Sequence, residues 1–155
     1  FEYYQTLGFG KSPNLPLGGI AKGRLSSWKN WDAVTLATIS YGHGVSVSLA
    51  QLAQAYTVFA RDGDLIPISL LKTNFKKRGL QVFSYESVKS VRSMLERASS
   101  SLGTGVKAQV DGFRIAGKTG TAQKAENGGY SKNKYIASFV GIAPIDKPRF
   151  VIAIM

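Results

Sequence analysis

A mixed α/β (α+β) fold, with helices packed on an antiparallel sheet, is the architecture that this sequence of 155 residues predicts. Two segments, 48–60 and 84–98, repeat apolar residues at helical spacing, and each begins with a serine that can cap a helix. Three apolar segments, 113–123, 135–143 and 149–155, read as strands near the end of the chain. The connections between these strands are short enough for antiparallel hairpins.

The first part of the chain combines short helices with irregular backbone. Residues 1–7 are predicted to form the last turns of a helix that ends at Gly8, because glycine is the usual residue in the left-handed position after a helix. Residues 10–27 are rich in glycine and proline and are predicted to be irregular. A short helix is expected over 32–39, followed by a turn in which two glycines flank the only histidine, His43.

The clearest helical pattern begins at Ser48 and ends before Gly63. Its apolar residues recur three and four positions apart, so they share one face of a helix. The serine is the cap and the glycine follows the last turn. The apolar face consists of Leu49, Leu52, Ala53, Tyr56, Phe59 and Ala60.

A small pair of strands is predicted between the two long helices. Residues 65–74 and 80–83 resemble strands, and the basic cluster at 76–78 lies in a turn beside Gly79. Ser84 then caps the second helix. One face of that helix carries Val88, Val91, Leu95 and Ala98.

The last segment, 150–155, is apolar and predicts a strand buried on both faces. A strand of this kind is normally paired on both edges and followed by a turn. We therefore expect that residues 1–155 form an incomplete portion of a larger fold.

Composition excludes several classes of function. The hydrophobic content of 44% is too high for a disordered chain, and no apolar run approaches the roughly 20 residues that cross a bilayer. The sequence has no cysteine and one histidine, which excludes disulfides, cysteine nucleophiles and zinc sites built on two histidines. We therefore expect neither a metal nor a cofactor.

The formal charge of +11 raises the alternative of a nucleic-acid-binding protein, because lysine and arginine release counterions from phosphates. The basic residues are spread along the chain, however, and no nucleic-acid module signature is present. A solvated basic surface explains the charge and would equally suit a protein that works against an anionic cell envelope. Nucleic acid is not an expected partner.

Residue types suited to chemistry concentrate at Lys118, Thr119, Gly120 and Thr121. On an ideal strand, lysine and glycine point to one face and the threonines to the other, although a twisted edge can bring neighbouring side chains toward one cleft. Gly120 leaves room for a ligand against the backbone. Taken alone, the pattern also fits an ordinary amphipathic strand, in which the threonines reflect β-propensity.

Lys118-Thr119-Gly120-Thr121 resembles the third signature motif of the penicillin-recognising serine acyltransferases, which include penicillin-binding proteins and class A β-lactamases. Other segments are similar to class B penicillin-binding transpeptidases, and their order and spacing come closest to the division-specific members of Gram-negative bacteria. The resemblance covers essentially all of the chain and implies the C-terminal portion of a penicillin-binding-protein/β-lactamase-like domain. The matching segments are 8–10, 40–44, 48–53, 103–108, 133–137 and 141–144.

The family also needs a Ser-x-x-Lys nucleophile motif and a Ser-x-Asn motif, and neither is present in its expected place before Lys118. Three literal matches are interpreted as coincidences because of their predicted settings. Ser69 lies in a strand-like run rather than at a helix start. Ser131 follows the lysine and lies in a predicted hairpin loop, and Ser12 lies in a proline-containing loop. The resemblance places the nucleophile before Phe1.

The resemblance implies acyl transfer through a serine ester and assigns roles within this chain. The N–H of Thr121 would be one oxyanion-hole donor, and the hydroxyls of Thr119 and Thr121 would bind the terminal carboxylate of the substrate. Lys118 would supply positive potential and help proton movement. Gly120 belongs to the same substrate-binding set.

Tyr41 and His43 are expected to form a wall of the same cleft. Family members often carry tyrosine or glutamine where His43 stands, a change that alters the wall without changing the reaction. A catalytic role for His43 is the alternative, because histidine titrates near neutrality, but no nucleophile is identifiable beside it.

The implied function is a peptidoglycan D,D-transpeptidase that cross-links stem peptides during septal cell-wall synthesis and is acylated by β-lactam antibiotics. The alternatives are a D,D-carboxypeptidase or serine β-lactamase, in which water replaces the acceptor amine, and a non-enzymatic β-lactam sensor. Beyond stem peptides and β-lactams, the implied partners are division-complex membrane proteins, including a lipid-II polymerase. The implied location is the periplasmic face of the inner membrane, with an N-terminal anchor outside this chain.

Overall fold

A computed structural model describes residues 1–72, 79–126 and 129–155. The helices within these ranges are α1 (Glu2–Thr6), α2 (Ala33–Ile39), α3 (Leu49–Ala60) and α4 (Tyr85–Ala98). The strands are β1 (Asp64–Leu65), β2 (Leu80–Gln81), β3 (Ala116–Glu126), β4 (Gly129–Ala143) and β5 (Phe150–Ile154). Among the described residues, no helix combines the length and apolar character needed to span a membrane.

The main sheet has the strand order β3-β4-β5, and both pairings are antiparallel. Gly117 lies opposite Gly141, and Thr121 lies opposite Ala137. Within the described part of the chain, β3 pairs only with β4, so its outer edge is open. The combination of antiparallel sheets and helices confirms the predicted fold class.

Local capping explains where three helices begin. The Asp32 carboxylate accepts a hydrogen bond from the Thr35 N–H at 2.7 Å and starts α2. Ser48 and the side chain of Gln51 form a capping box at the start of α3, and Ser84 caps α4. These three helix starts confirm the sequence prediction.

The core lies where α3 and α4 pack against the sheet. Val58 and Val88 are fully buried on the two helices, and Ala116 and Ile142 are fully buried on β3 and β4. Full burial of a valine or isoleucine side chain contributes roughly 1.5–3 kcal/mol to the stability of the folded state. The cluster under the sheet consists of Leu95, Ala116, Ile142 and Ile145, and it is flanked by Tyr56, Phe59, Ala60, Val91 and Val151.

The strand predicted over 65–74 is wrong for residues 66–72, because regular pairing of the described residues ends at Leu65. Pro67 has no N–H to donate to a ladder, and the Leu71 N–H donates to the Ser69 hydroxyl at 3.1 Å, which makes a turn. Strand β2, which pairs with β1, is likewise shorter than the predicted strand over 80–83. Residues 73–78, with the predicted basic turn, lie outside the described residues.

The hairpin between β3 and β4 is longer than predicted. The first strand starts at Ala116 rather than at 113 and continues to Glu126, and the second starts at Gly129 rather than at 135. An ion pair of 2.8 Å between Lys134 Nζ and Glu126 Oε1 joins the two strands near their connection. Residues 127–128 lie outside the described part of the chain.

Within residues 1–155, strand β5 is covered on one face, and its burial on both faces in the larger fold stays a prediction. Val151 and Ala153 are half-buried and lie on the face next to α3, whereas Phe150, Ile152 and Ile154 are each more than half exposed. The helices of the described residues cover one face of the strand only.

Candidate active site

The base of the candidate site is a tightly packed part of β3. Ala116 and Gly117 are buried, and the hydroxyl of Ser99 at the end of α4 donates to the Gly117 carbonyl at 3.2 Å. A Cβ at Gly117 would collide with the ring of Phe139 and the carbonyl of Val140. Glycine is therefore required here, because the neighbouring strand approaches the backbone closely.

Lys118 and Thr119 come together although they are consecutive strand residues. Lys118 Nζ donates to the Thr119 carbonyl oxygen at 3.0 Å and to Thr119 Oγ1 at 3.3 Å. The Lys118 ammonium group thus lies at the strand edge, on the same side as the Thr119 hydroxyl. A cation and a hydroxyl on one edge form a set of donors that suits an anionic group.

Thr104 is a site residue that sequence reasoning missed. Its hydroxyl oxygen lies 2.7 Å from Thr119 Oγ1. The loop that carries Thr104 is fixed against α4, because the Gly105 N–H donates to the Ala98 carbonyl at 2.9 Å. The sequence places Thr104 in the segment 103–108, but only tertiary packing brings its hydroxyl to β3.

Gly120 is half-buried, and the side chain of Ser138 on β4 fills the space beside it. A Cβ at Gly120 would lie 2.6 Å from Ser138 Oγ. Glycine here accommodates the close approach of Ser138, and the prediction that Gly120 leaves room for a ligand stays a prediction.

Beyond Thr121, a cleft of about 710 Å³ opens between two walls. One wall continues along the hairpin through Thr121, Gln123 and Tyr130. The other is the loop 41–46 with Arg24. The structure therefore brings Tyr41 and His43, both exposed, to the same cleft as Thr121.

His43 lies across the cleft mouth from Tyr130, with 5.8 Å between the ring centroids. The glycines on either side of it, Gly42 and Gly44, have φ angles of 93° and 79°. These positive values are conformations that glycine adopts more easily than other residues. These turns project the imidazole toward the hairpin. The observed contact of His43 is with an aromatic ring, and its role as a wall residue stays a prediction.

The chain matches the penicillin binding protein transpeptidase domain family over residues 1–155. It belongs to this family. The match confirms the resemblance that was drawn from Lys118-Thr119-Gly120-Thr121 and the segments around it.

Relatives of this transpeptidase family include the probable peptidoglycan D,D-transpeptidase PenA of Neisseria flavescens, which is 39% identical over 154 residues, covering 99% of this chain and 38% of the relative. The peptidoglycan D,D-transpeptidase FtsI of Escherichia coli is 38% identical, and the match covers 99% of this chain and 26% of FtsI. The apo transpeptidase domain of Burkholderia pseudomallei penicillin-binding protein 3 is 48% identical with a TM-score of 0.92, covering 98% of this chain and 46% of that chain. The chain thus spans less than half the length of each of these proteins.

The serines that match the motifs of the transpeptidase family lie in unsuitable settings. The Ser69 hydroxyl donates to the Leu71 carbonyl at 3.0 Å in a turn, not at the start of a helix. Ser131 lies in β4 rather than in the predicted hairpin loop, because that strand begins earlier, at Gly129. The Ser12 hydroxyl donates to the Ile20 carbonyl at 3.3 Å in irregular backbone.

Two carboxylates of the chain, Asp64 and Glu96, form ion pairs with arginines. Hydrogen bonds from Arg61, at 2.9 and 2.6 Å, lower the pKa of Asp64, and the bidentate pair with Arg114 lowers the pKa of Glu96. The described residues that line the cleft include no Asp or Glu. Within the described ranges, no cluster of three or more side chains suited to a metal ion was found. Of the described residues that line the cleft, Arg24 is the one arginine or lysine, and its charge suits an anionic group.

Proposed function

We propose that this chain is part of a peptidoglycan D,D-transpeptidase, in which it forms the C-terminal, substrate-binding portion of the catalytic domain. The observation that carries the proposal is the cluster of Lys118, Thr119 and Thr104 on the open edge of β3, next to the cleft, in a member of the transpeptidase family. The nucleophilic serine would come from a segment that precedes residue 1.

The cluster supplies donors for the terminal carboxylate of a stem peptide. Lys118 Nζ contributes charge, and the hydroxyls of Thr119 and Thr121 contribute directional hydrogen bonds. Thr104 Oγ1 lies 2.7 Å from Thr119 Oγ1, and with Thr104 as the donor the Thr119 hydroxyl can donate to the carboxylate. A hydrogen bond to a charged group typically contributes about 1.5–3 kcal/mol.

The backbone of β3 supplies the remaining contacts. Its open edge can pair with an extended peptide, as an added strand pairs with any exposed sheet edge. The N–H of Thr121 would be one oxyanion-hole donor, and the N–H of the nucleophilic serine would be the other. Removing such a donor costs roughly 3 kcal/mol of transition-state stabilisation.

The reaction proceeds in two acyl-transfer steps. The serine oxygen attacks the carbonyl carbon between two D-alanines, an ester bond forms, the amide C–N bond breaks, and the released D-alanine takes up the proton of the serine hydroxyl. An amine of a neighbouring stem peptide then attacks the ester, forms the cross-link and returns the proton to the serine. A β-lactam follows the first step, and its ester persists.

The names of relatives support a role in septal cell-wall synthesis and as a β-lactam target. FtsI and PenA are named peptidoglycan D,D-transpeptidases, and a penicillin-binding protein 3 of Mycobacterium tuberculosis, 30% identical with a TM-score of 0.90, was solved in complex with ampicillin. By analogy, the site would face the periplasm from an anchored protein. Its partners would be division-complex membrane proteins, including a lipid-II polymerase.

The test is a transfer assay with the full-length protein. A donor peptide ending in D-alanyl-D-alanine and a labelled D-amino acid as acceptor should yield free D-alanine and labelled product in equal amounts. Release of D-alanine without incorporation would indicate a carboxypeptidase, and rapid turnover of penicillin a β-lactamase. A stable penicillin adduct with no release of D-alanine would indicate a sensor.

A further inference from the structure

Arg24 lies in the wall of the cleft opposite the hairpin, and its backbone is fixed there. Its N–H donates to the Ser46 carbonyl at 2.7 Å, and the Ser46 N–H donates back to the Arg24 carbonyl at 2.9 Å. Gly23 has a φ of 66°, and a Cβ on it would collide with the carbonyl of Ser46. The backbone pairing of Arg24 with Ser46 therefore depends on glycine at position 23. This pairing fixes the backbone position from which the Arg24 side chain extends.

The segment that leads to Arg24 is anchored from the core side. The Gln51 side chain is 2% exposed, and its Nε2 lies 3.0 Å from the Gly8 carbonyl oxygen, 2.8 Å from that of Lys11 and 3.0 Å from that of Lys22. Three loop carbonyls thus converge on one buried amide. Arg24 lies two residues after Lys22, whose carbonyl is bound by Gln51, so packing of the core fixes the backbone position of Arg24.

The guanidinium of Arg24 has no carboxylate partner among the described residues. Arg114 by contrast binds Glu96 at 2.6 Å, and Arg92 lies 3.9 Å from Asp62. A guanidinium in a concave site recognises a carboxylate through two parallel hydrogen bonds. The described lining of the cleft offers no such group, so a bound molecule can supply it.

The direction of a bound peptide follows from β3 itself. Its terminal carboxylate would lie at Lys118 and Thr119, and the backbone behind these residues enters the buried core at Ala116. The peptide therefore has to extend the other way, past Thr121 toward Ala125. Four strand residues cover about 13 Å, enough for the peptide residues that precede the scissile bond. These residues would face Arg24.

We propose that Arg24 binds a free carboxylate on a stem-peptide residue that precedes the D-alanyl-D-alanine, and so sets the specificity of the donor site. The inference rests on the proposed function, because it assumes that the cleft receives a stem peptide. Arg24 selects the substrate in this account and takes no part in bond making or breaking.

The test measures protection of the full-length protein against acylation by a labelled penicillin that has no carboxylate in its acyl side chain. Two peptides ending in D-alanyl-D-alanine serve as competitors, one with glutamate and one with glutamine immediately before that dipeptide. The glutamate peptide should halve the acylation rate at about a tenfold lower concentration than the glutamine peptide, because it adds a charge-assisted bond.

In Arg24→Gln the two peptides should protect equally, and the penicillin rate should stay within about twofold. Arg24→Lys should retain part of the difference, since an ammonium keeps the charge but loses the bidentate geometry. Lys22→Gln is the matched control, because it removes the same charge from a residue outside the described lining of the cleft, and it should keep the full difference.

Equal protection by both peptides in the wild type would overturn the inference, and so would an unchanged difference in Arg24→Gln. Either result would leave the proposed function intact as long as the penicillin reacts. A wild-type protein that does not react with the penicillin would overturn the proposed function and this inference together.

Discussion

The two walls of the cleft are built in different ways. The strand wall begins with residues 116–121, which have a buried base, a ladder to β4 and a close approach to Phe139 at Gly117, and it reaches the cleft at Thr121. The loop wall, Arg24 with residues 41–46, depends on glycines with positive φ, and Tyr41 on it is 75% exposed. Groups that stabilise a transition state belong on the strand wall, where a paired strand holds them, whereas the loop wall presents exposed side chains that select a substrate.

The largest effect is expected for Lys118→Ala, because the cation at the carboxylate and oxyanion site is poorly replaced by solvent. Acylation of the full-length protein by labelled penicillin should slow by at least about 100-fold, or roughly 2.7 kcal/mol. Lys124→Ala, which removes the same charge from an exposed residue farther along β3, is the control and should stay near the wild-type rate. Equal rates for both variants would remove Lys118 from the site.

Thr119→Val is expected to follow, with a loss of about 1.5–3 kcal/mol or 10- to 150-fold in the acylation rate. Valine keeps the shape and branching of threonine but lacks the hydroxyl that should bind the carboxylate. The melting temperature should barely change. If the strand were only structural, acylation would be unaffected by this substitution, and any loss in Lys118→Ala would track a lower melting temperature.

A smaller loss is expected for Thr104→Val, because this hydroxyl acts through Thr119 and not on the substrate. Removing the 2.7 Å contact should slow acylation by about three- to tenfold, the equivalent of an ordinary hydrogen bond. The substitution should have no further effect in a Thr119→Val background. Additive losses in the double variant would show that Thr104 acts independently.

The smallest effect is expected on the loop wall, at His43. Replacing His43 by Gln should keep penicillin acylation within about tenfold, since no proton transfer depends on a wall residue. A loss beyond about 100-fold with an unchanged melting curve would assign His43 to the chemistry and break the division of roles between the walls.

Local signals account for what the sequence predicted correctly. Ser48, Ser84 and Asp32 cap the helices that follow them, and short connections produce the antiparallel strands. The motif at Lys118 indicated the family together with the other matching segments, because each sets residue types at fixed local spacing. Each of these features lies within a few residues of the chain.

Features that depend on distant parts of the chain were not predicted. Thr104 meets Thr119 across 15 residues, and Arg24 is fixed by Ser46 on another loop. Composition and spacing contain no signal for such contacts, since tertiary packing creates them.

The most direct test of the account is to map where penicillin reacts. The full-length protein is labelled, digested, and its peptides are identified by mass. We predict one adduct on a serine that precedes residue 1, while the strand wall acts on that ester without being modified. An adduct on Ser69 or Ser131 would contradict the account, because the nucleophile would then lie within this chain, away from the residues assigned to bind the substrate.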